Sequence, residues 1–135
     1  VLLSTPDYKW ERHGFWVNEG PAVVTHEDKI YLTYSASDTS PAYCVGLLEA
    51  NINDNLLDPH NWEKKRTPLL KSNPERKLYG PGHNSFTKNE KNEDIIVFHA
   101  RITDKLLCDN PLYDPNRHAM LGKVEWTDKG MDIIY

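Results

Sequence analysis

The chain has 135 residues, 20 of them acidic and 16 basic, for a formal charge of −4. That length holds one ordinary domain or a piece of a larger one, and 39% hydrophobic with 27% charged residues fits a globular chain rather than a disordered one. No apolar run approaches the ~20 residues of a membrane-spanning helix, and slight acidity without a Lys/Arg stripe argues against nucleic acid as the main partner. Four Trp and seven Tyr point to a β-rich core or a sugar-binding surface.

The first residues are Val1-Leu2-Leu3-Ser4, without Met and without a basic-then-apolar signal segment, so the chain reads like mid-protein sequence. Pro21 to Thr25, a polar turn at His26-Glu27-Asp28, and Lys29 to Ser37 read as a β-hairpin. A third strand is expected over Tyr43 to Ala50, and a short outer one within Trp62 to Leu70, broken by Pro68. The pattern then recurs: Gly82 to Lys88, a polar turn, Asp94 to Arg101, a long loop with Pro111 and Pro115, His118 to Trp126, and Met131 to Tyr135. No 3.6-residue apolar period persists for three turns, so helix should be minor. Aligning Gly20-Pro21 with Pro81-Gly82 gives two similar units, about 1–75 and about 76–135. Their period is that of propeller blades, and two blades cannot close a ring.

Three stretches carry candidate chemistry. In Phe15-Trp16-Val17-Asn18-Glu19-Gly20-Pro21 a carboxylate stands among aromatic and apolar neighbours where a strand begins. Such surroundings disfavour an anion, which is the tuning a general acid needs near neutral pH. Most of the acidic residues must instead be solvated loop carboxylates. In Tyr79-Gly80-Pro81-Gly82-His83-Asn84-Ser85-Phe86, His83 falls at the same phase of the second unit as Glu19 in the first. A lone His more often serves as a structural hydrogen-bonder, and without companions at metal spacing it does not specify zinc. Gly80, Pro81 and Gly82 read as turn residues, not a phosphate cradle. In Asp114-Pro115-Asn116-Arg117-His118, Arg117 reads equally as a solvated loop cation or as a planar donor set for sugar hydroxyls. Cys44 and Cys108 allow one disulfide at most; two free buried thiols are the expectation.

These stretches, together with Ile30-Tyr31-Leu32-Thr33-Tyr34-Ser35-Ala36-Ser37, Phe98-His99-Ala100-Arg101 and Asp109-Asn110-Pro111-Leu112-Tyr113, resemble glycoside hydrolase family 43 in its arabinofuranosidase and exo-arabinanase branch. The resemblance implies an all-β fold, two antiparallel blades of a five-bladed β-propeller, and an inverting hydrolase of α-L-arabinofuranosyl bonds in arabinan or arabinoxylan. It puts the general acid on Glu19 and substrate contacts at Trp16, Asn18, His83 and Arg117. It also implies a calcium-type ion beside His83, held through water. The resemblance also implies that the catalytic base and the Asp that tunes the acid come from earlier blades; here Asp38, Asp104, Asp109 and Asp114 are loop carboxylates away from a strand start, poor candidates for the base. The partners implied are an arabinose-containing carbohydrate and either the remaining blades or a second copy of the chain. A non-catalytic carbohydrate-binding or assembly module, or an inactive remnant, is the alternative.

Overall fold

The computed structural model describes all residues from Val1 to Tyr135 as two four-stranded antiparallel sheets. The first runs β1 (Asn18–His26), β2 (Lys29–Ala36), β3 (Cys44–Asn51) and β4 (Glu63–Lys64); the second runs β5 (Tyr79–Lys88), β6 (Asp94–Arg101), β7 (His118–Thr127) and β8 (Gly130–Ile134). Each strand pairs with its sequence neighbour, as hairpin-connected strands do. Helix is confined to four three-residue 3-10 turns. In three of them the residue before a Pro is Asp58, Asn73 or Asn110, whose side chain accepts a backbone N–H of the turn.

Period-two alternation divides each strand between two faces. On the face between the sheets, Tyr31, Val45 and Leu47 meet Ile96, Phe98, Ala100, Val124, Met131 and Ile133 in one buried cluster. Full burial of such side chains is worth ~1.5–3 kcal/mol each, so this seam dominates the packing. The other face of the first sheet buries Tyr34, Ala36, Cys44 and Leu48 beneath Trp10 and Trp62. The corresponding face of the second sheet is uncovered: Leu121, paired with Val97, is 67% exposed and Ile134 is 45% exposed.

Three expectations change. The outer strand of the first sheet shrinks to Glu63–Lys64, followed by a single bridge from Leu70 to Val45, because Pro68 cannot sustain a ladder. Gly80, Pro81 and Gly82 lie inside β5, where the register to β6 shifts twice, and are not a separate turn. Cys44 is buried and free, but Cys108 is exposed in the polar loop before β7, its thiol reaching only the Asn110 carbonyl.

The entry segment is pinned by Glu11, which has no exposed surface. Its carboxylate accepts from the Tyr34 hydroxyl (2.8 Å), the Tyr8 N–H (2.7 Å) and the Asn18 amide (3.1 Å), and pairs with Lys64 at 2.7 Å. Burial works to raise its pKa, but Lys64, the Tyr8 N–H and Tyr34 together outweigh burial and hold it below the ordinary value. A depressed folded-state pKa contributes stability that is present above the unfolded carboxyl value and lost as pH falls through the folded one. The stability gap between the protein and its Glu11→Gln variant should therefore be largest near neutral pH and narrow as acidification passes below the ordinary carboxyl range. Denaturant midpoints across that range check it, and a gap independent of pH would contradict it.

Candidate functional site

Glu19 sits opposite Ser35 in the β1–β2 ladder, immediately before an irregularity between Glu19 and Ala22. Gly20 supplies the positive φ of +56° that this bulge requires. A Cβ on Gly20 would come within 3.4 Å of the His83 ring, so the starts of β1 and β5 are side by side. The Glu19 side chain is exposed. Phe15 and Trp16 do not enclose it: they are 49% and 68% exposed on irregular backbone before β1, with the Arg12 guanidinium 4.9 Å over the Trp16 ring. The apolar crowding expected around Glu19 is thus absent, since the sheet begins only at Asn18.

What the carboxylate meets instead is a buried phenol. The Tyr43 hydroxyl donates to Glu19 Oε1 at 2.6 Å, and Tyr43 is only 1% exposed. Its ring crosses over Gly82, where a Cβ would stand 2.3 Å from Cε1, and stacks on His99 at 5.5 Å and 12°. Gly82 is itself the ladder partner of His99, which explains why a ring passing over the glycine reaches that imidazole. Burial, reinforced by the bond to Glu19, pushes the Tyr43 pKa up, while Ser35 and Arg117 act in the opposite direction. The phenol therefore keeps its proton and remains a donor.

His83 is exposed, with its ring 6.4 Å from that of His99. Its backbone has φ +51°, a conformation costing a non-glycine residue ~1–3 kcal/mol unless its surroundings hold it. Here the Ser35 hydroxyl accepts the His83 N–H at 2.6 Å, and next along β5 the Asn84 amide donates to Thr33 Oγ1 at 2.9 Å.

Arg117, half-buried just before β7, donates through Nη2 to the Leu112 carbonyl at 2.8 Å and acts electrostatically on both Tyr43 and His99. The loop carrying it is tied down by Arg101, fully buried, which donates to the Thr39 and Pro111 carbonyls and faces Asp114 at 3.5 Å. Asp114 accepts from the Leu107 (2.6 Å) and Asn116 (2.9 Å) N–H groups, which lower its pKa before Arg101 adds to the effect. It is a structural carboxylate, not a base. Asn18 belongs to the scaffold as well: its amide donates to Glu11 and to the Val17 carbonyl, and its oxygen accepts from Ser4. These bonds use both amide hydrogens of Asn18 and one lone pair of its oxygen, leaving one acceptor position for a sugar hydroxyl.

The residues on this chain do not form a calcium cage. Calcium takes six to eight oxygen ligands, whereas the His83 ring has the His99 imidazole beside it, and no group of three or more His, Cys, Asp and Glu side chains converges anywhere in the structure.

Residues 2–131 match the model of the family "Glycosyl hydrolases family 43". The chain belongs to that family. It is 47% identical over 131 residues to alpha-L-arabinofuranosidase 43 of Humicola insolens, covering 96% of this chain and 27% of that protein. It is 46% identical over 129 residues to an extracellular exo-alpha-(1->5)-L-arabinofuranosidase of Streptomyces avermitilis, covering 95% of this chain and 27% of that protein. The crystal structure of an alpha-L-arabinofuranosidase from Lactobacillus brevis superimposes with a TM-score of 0.92 at 45% identity, over the whole of this chain and 41% of that one. This family 43 chain thus spans about a quarter of the length of the curated relatives it matches.

Tyr43, Ser35 and His99 were not legible as site residues, because they lie on three different strands or strand ends and share no spacing with Glu19. Polar His99 and Arg101 closing the otherwise apolar run Ile95 to Ala100 are the one local signal. Burial, then the Arg117, His83 and Arg101 charges, push the His99 pKa down to about 4, and its Nδ1 is buried without a protein partner. His99 should accordingly show no protonation step between pH 6 and 8 when its ring resonances are followed by NMR, a window chosen around the ordinary imidazole value of ~6.5. A midpoint within that window would refute the packed, neutral imidazole.

Proposed function

We propose that this chain supplies the general acid and part of the sugar pocket of an inverting, five-bladed family 43 arabinofuranosidase, its two sheets being two of the blades. The observation that carries the reading is an exposed carboxylate, Glu19, held by a buried phenol beside His83 and Arg117, in a chain 46–47% identical to arabinofuranosidases. An exposed acid gripped from behind can meet a substrate oxygen. Arg117 and His83 offer donors for sugar hydroxyls, and Trp16 an exposed ring for stacking.

Inversion requires a second carboxylate ~6.5–9.5 Å away to activate water on the opposite face of the sugar. Asp114 is consumed by Arg101, and Asp38 accepts the Ser40 N–H and faces His13. The base in this reading therefore comes from other blades. Those blades, or a second copy of the chain, would cover the apolar row of Val97, Leu121 and Ile134. An axial cation of the calcium type would be held at His83 through water, with its oxygen ligands drawn from the rest of the protein. A non-catalytic carbohydrate-binding role rests on the exposed Phe15 and Trp16 and needs no second carboxylate.

Glu19→Gln in the whole protein separates the two. It keeps the side chain's shape but removes the proton donor, worth ~10²–10⁴ in rate when the departing alcohol is poor. Hydrolysis of an arabino-oligosaccharide should collapse, while an activated aryl arabinofuranoside loses far less and the alkaline limb of the rate profile disappears. Equal losses on both substrates with that limb intact would show that the proton comes from elsewhere. Unchanged sugar binding with no hydrolysis in either protein would favour the binding module.

A further inference from the structure

We propose that Tyr43 is a positioning residue that fixes which oxygen of Glu19 carries the transferable proton and then stabilises the anion left behind. The inference rests on the reading of Glu19 as the general acid. The Tyr43 hydroxyl donates to Oε1 at 2.6 Å, a short O–H···O bond. An oxygen accepting such a bond is a poor place for a proton, so the acidic hydrogen resides on Oε2. Because the side chain is exposed, Oε2 is the oxygen that a substrate can reach.

The phenol can do this because it has little freedom of its own. Its ring lies over the bare Gly82 backbone and stacks on His99. Ser35, whose hydroxyl accepts the His83 N–H, flanks it against the same glycine. The bond to Glu19 thus aims the carboxylate from a fixed point in the core, although the carboxylate stands in solvent. As the proton passes from Oε2 to the glycosidic oxygen, the bond from that oxygen to the anomeric carbon breaks. Water adds to the opposite face of the sugar and gives its proton to a base carboxylate outside this chain. Glu19 becomes an anion in that step, and the Tyr43 bond becomes charge-assisted as the charge develops, which is where a preorganised donor contributes to rate.

The test is Tyr43→Phe in the whole protein, alone and combined with Glu19→Gln, using an arabino-oligosaccharide and an activated aryl arabinofuranoside. Loss of one hydrogen bond to a charged group predicts a fall of roughly ten- to a hundredfold in kcat on the oligosaccharide. KM should be unchanged and the aryl substrate should stay within about threefold, because that leaving group needs little proton. In the Glu19→Gln background the same substitution should cost nothing further. Ser35→Ala, which leaves the phenol in place, should show a smaller loss with the same leaving-group dependence, and it serves if Tyr43→Phe folds poorly by circular dichroism. Equal losses on both substrates, a change confined to KM, or an undiminished loss in the Glu19→Gln background would overturn the role of Tyr43. If Glu19→Gln itself fails to discriminate between leaving groups, the acid assignment falls, and that result is visible independently of Tyr43.

Discussion

The close approach of the Gly82 backbone to the Tyr43 ring governs the geometry at the Glu19 end of the molecule. A side chain at residue 82 would occupy the space of the ring, since its Cβ would stand 2.3 Å from Cε1 and 3.0 Å from the Ser35 hydroxyl. Without that vacancy the phenol could neither stack on His99 nor lie where its hydroxyl meets Glu19. The two sheets would also be wedged apart at this end, because β5 packs against β1, β2 and β3. One missing methyl group therefore links sheet packing to the aim of a carboxylate. Overpacking at such a point ordinarily costs ~1–3 kcal/mol even before any effect on chemistry.

The seam between the sheets changes character along its length. Away from Glu19 it is apolar, built from Tyr31, Leu47, Ile96, Phe98, Val124 and Ile133. Toward Glu19 the same face of β2 carries Thr33 and Ser35, both fully buried, which bond across to Asn84 and to the His83 backbone. An apolar seam sets distance but tolerates sliding, whereas directional bonds to a backbone N–H set register. The left-handed His83 backbone is held by one of those bonds, so the conformational cost at residue 83 is offset where register matters most.

Strand positions were legible because alternation is local. Lys29 to Ser37 and Asp94 to Arg101 read as strands from their own residues and fold as β2 and β6. Glu19, His83 and Arg117 were legible as candidates because each lies at or just before a strand start in a distinctive short stretch. Their surroundings were not, for physical reasons that differ residue by residue. Tyr43 reaches Glu19 across 24 positions, between irregularities at Gly20 and Gly82 that no local pattern predicts. Trp16 is near Glu19 in sequence, yet irregular backbone turns its ring to solvent rather than over the carboxylate. Glu11, one acidic residue among 20, is distinguished only by burial that no local pattern announces.

The same constraint explains why the two charged candidates are supported so differently. Arg117 depends on a loop, and that loop depends on Arg101 reaching back to Thr39 in the first sheet and sideways to Asp114. Burying a guanidinium is costly unless it is paired, and here two carbonyls accept from Nη1 and Nη2 while Nε, without a hydrogen-bond partner, faces the Asp114 carboxylate at 3.5 Å. Burial lowers the Arg101 pKa and Asp114 raises it again, which keeps the cation tied to its partner in the interior. Glu19 instead depends on a neutral donor, Tyr43, backed by an imidazole that burial keeps uncharged. A cation in place of the phenol would lock the carboxylate into its anionic form and deny it a proton to donate. A neutral hydroxyl orients either protonation state. Charge fixes the loop, and a neutral hydrogen bond holds Glu19, the group whose protonation changes in the proposed general-acid role.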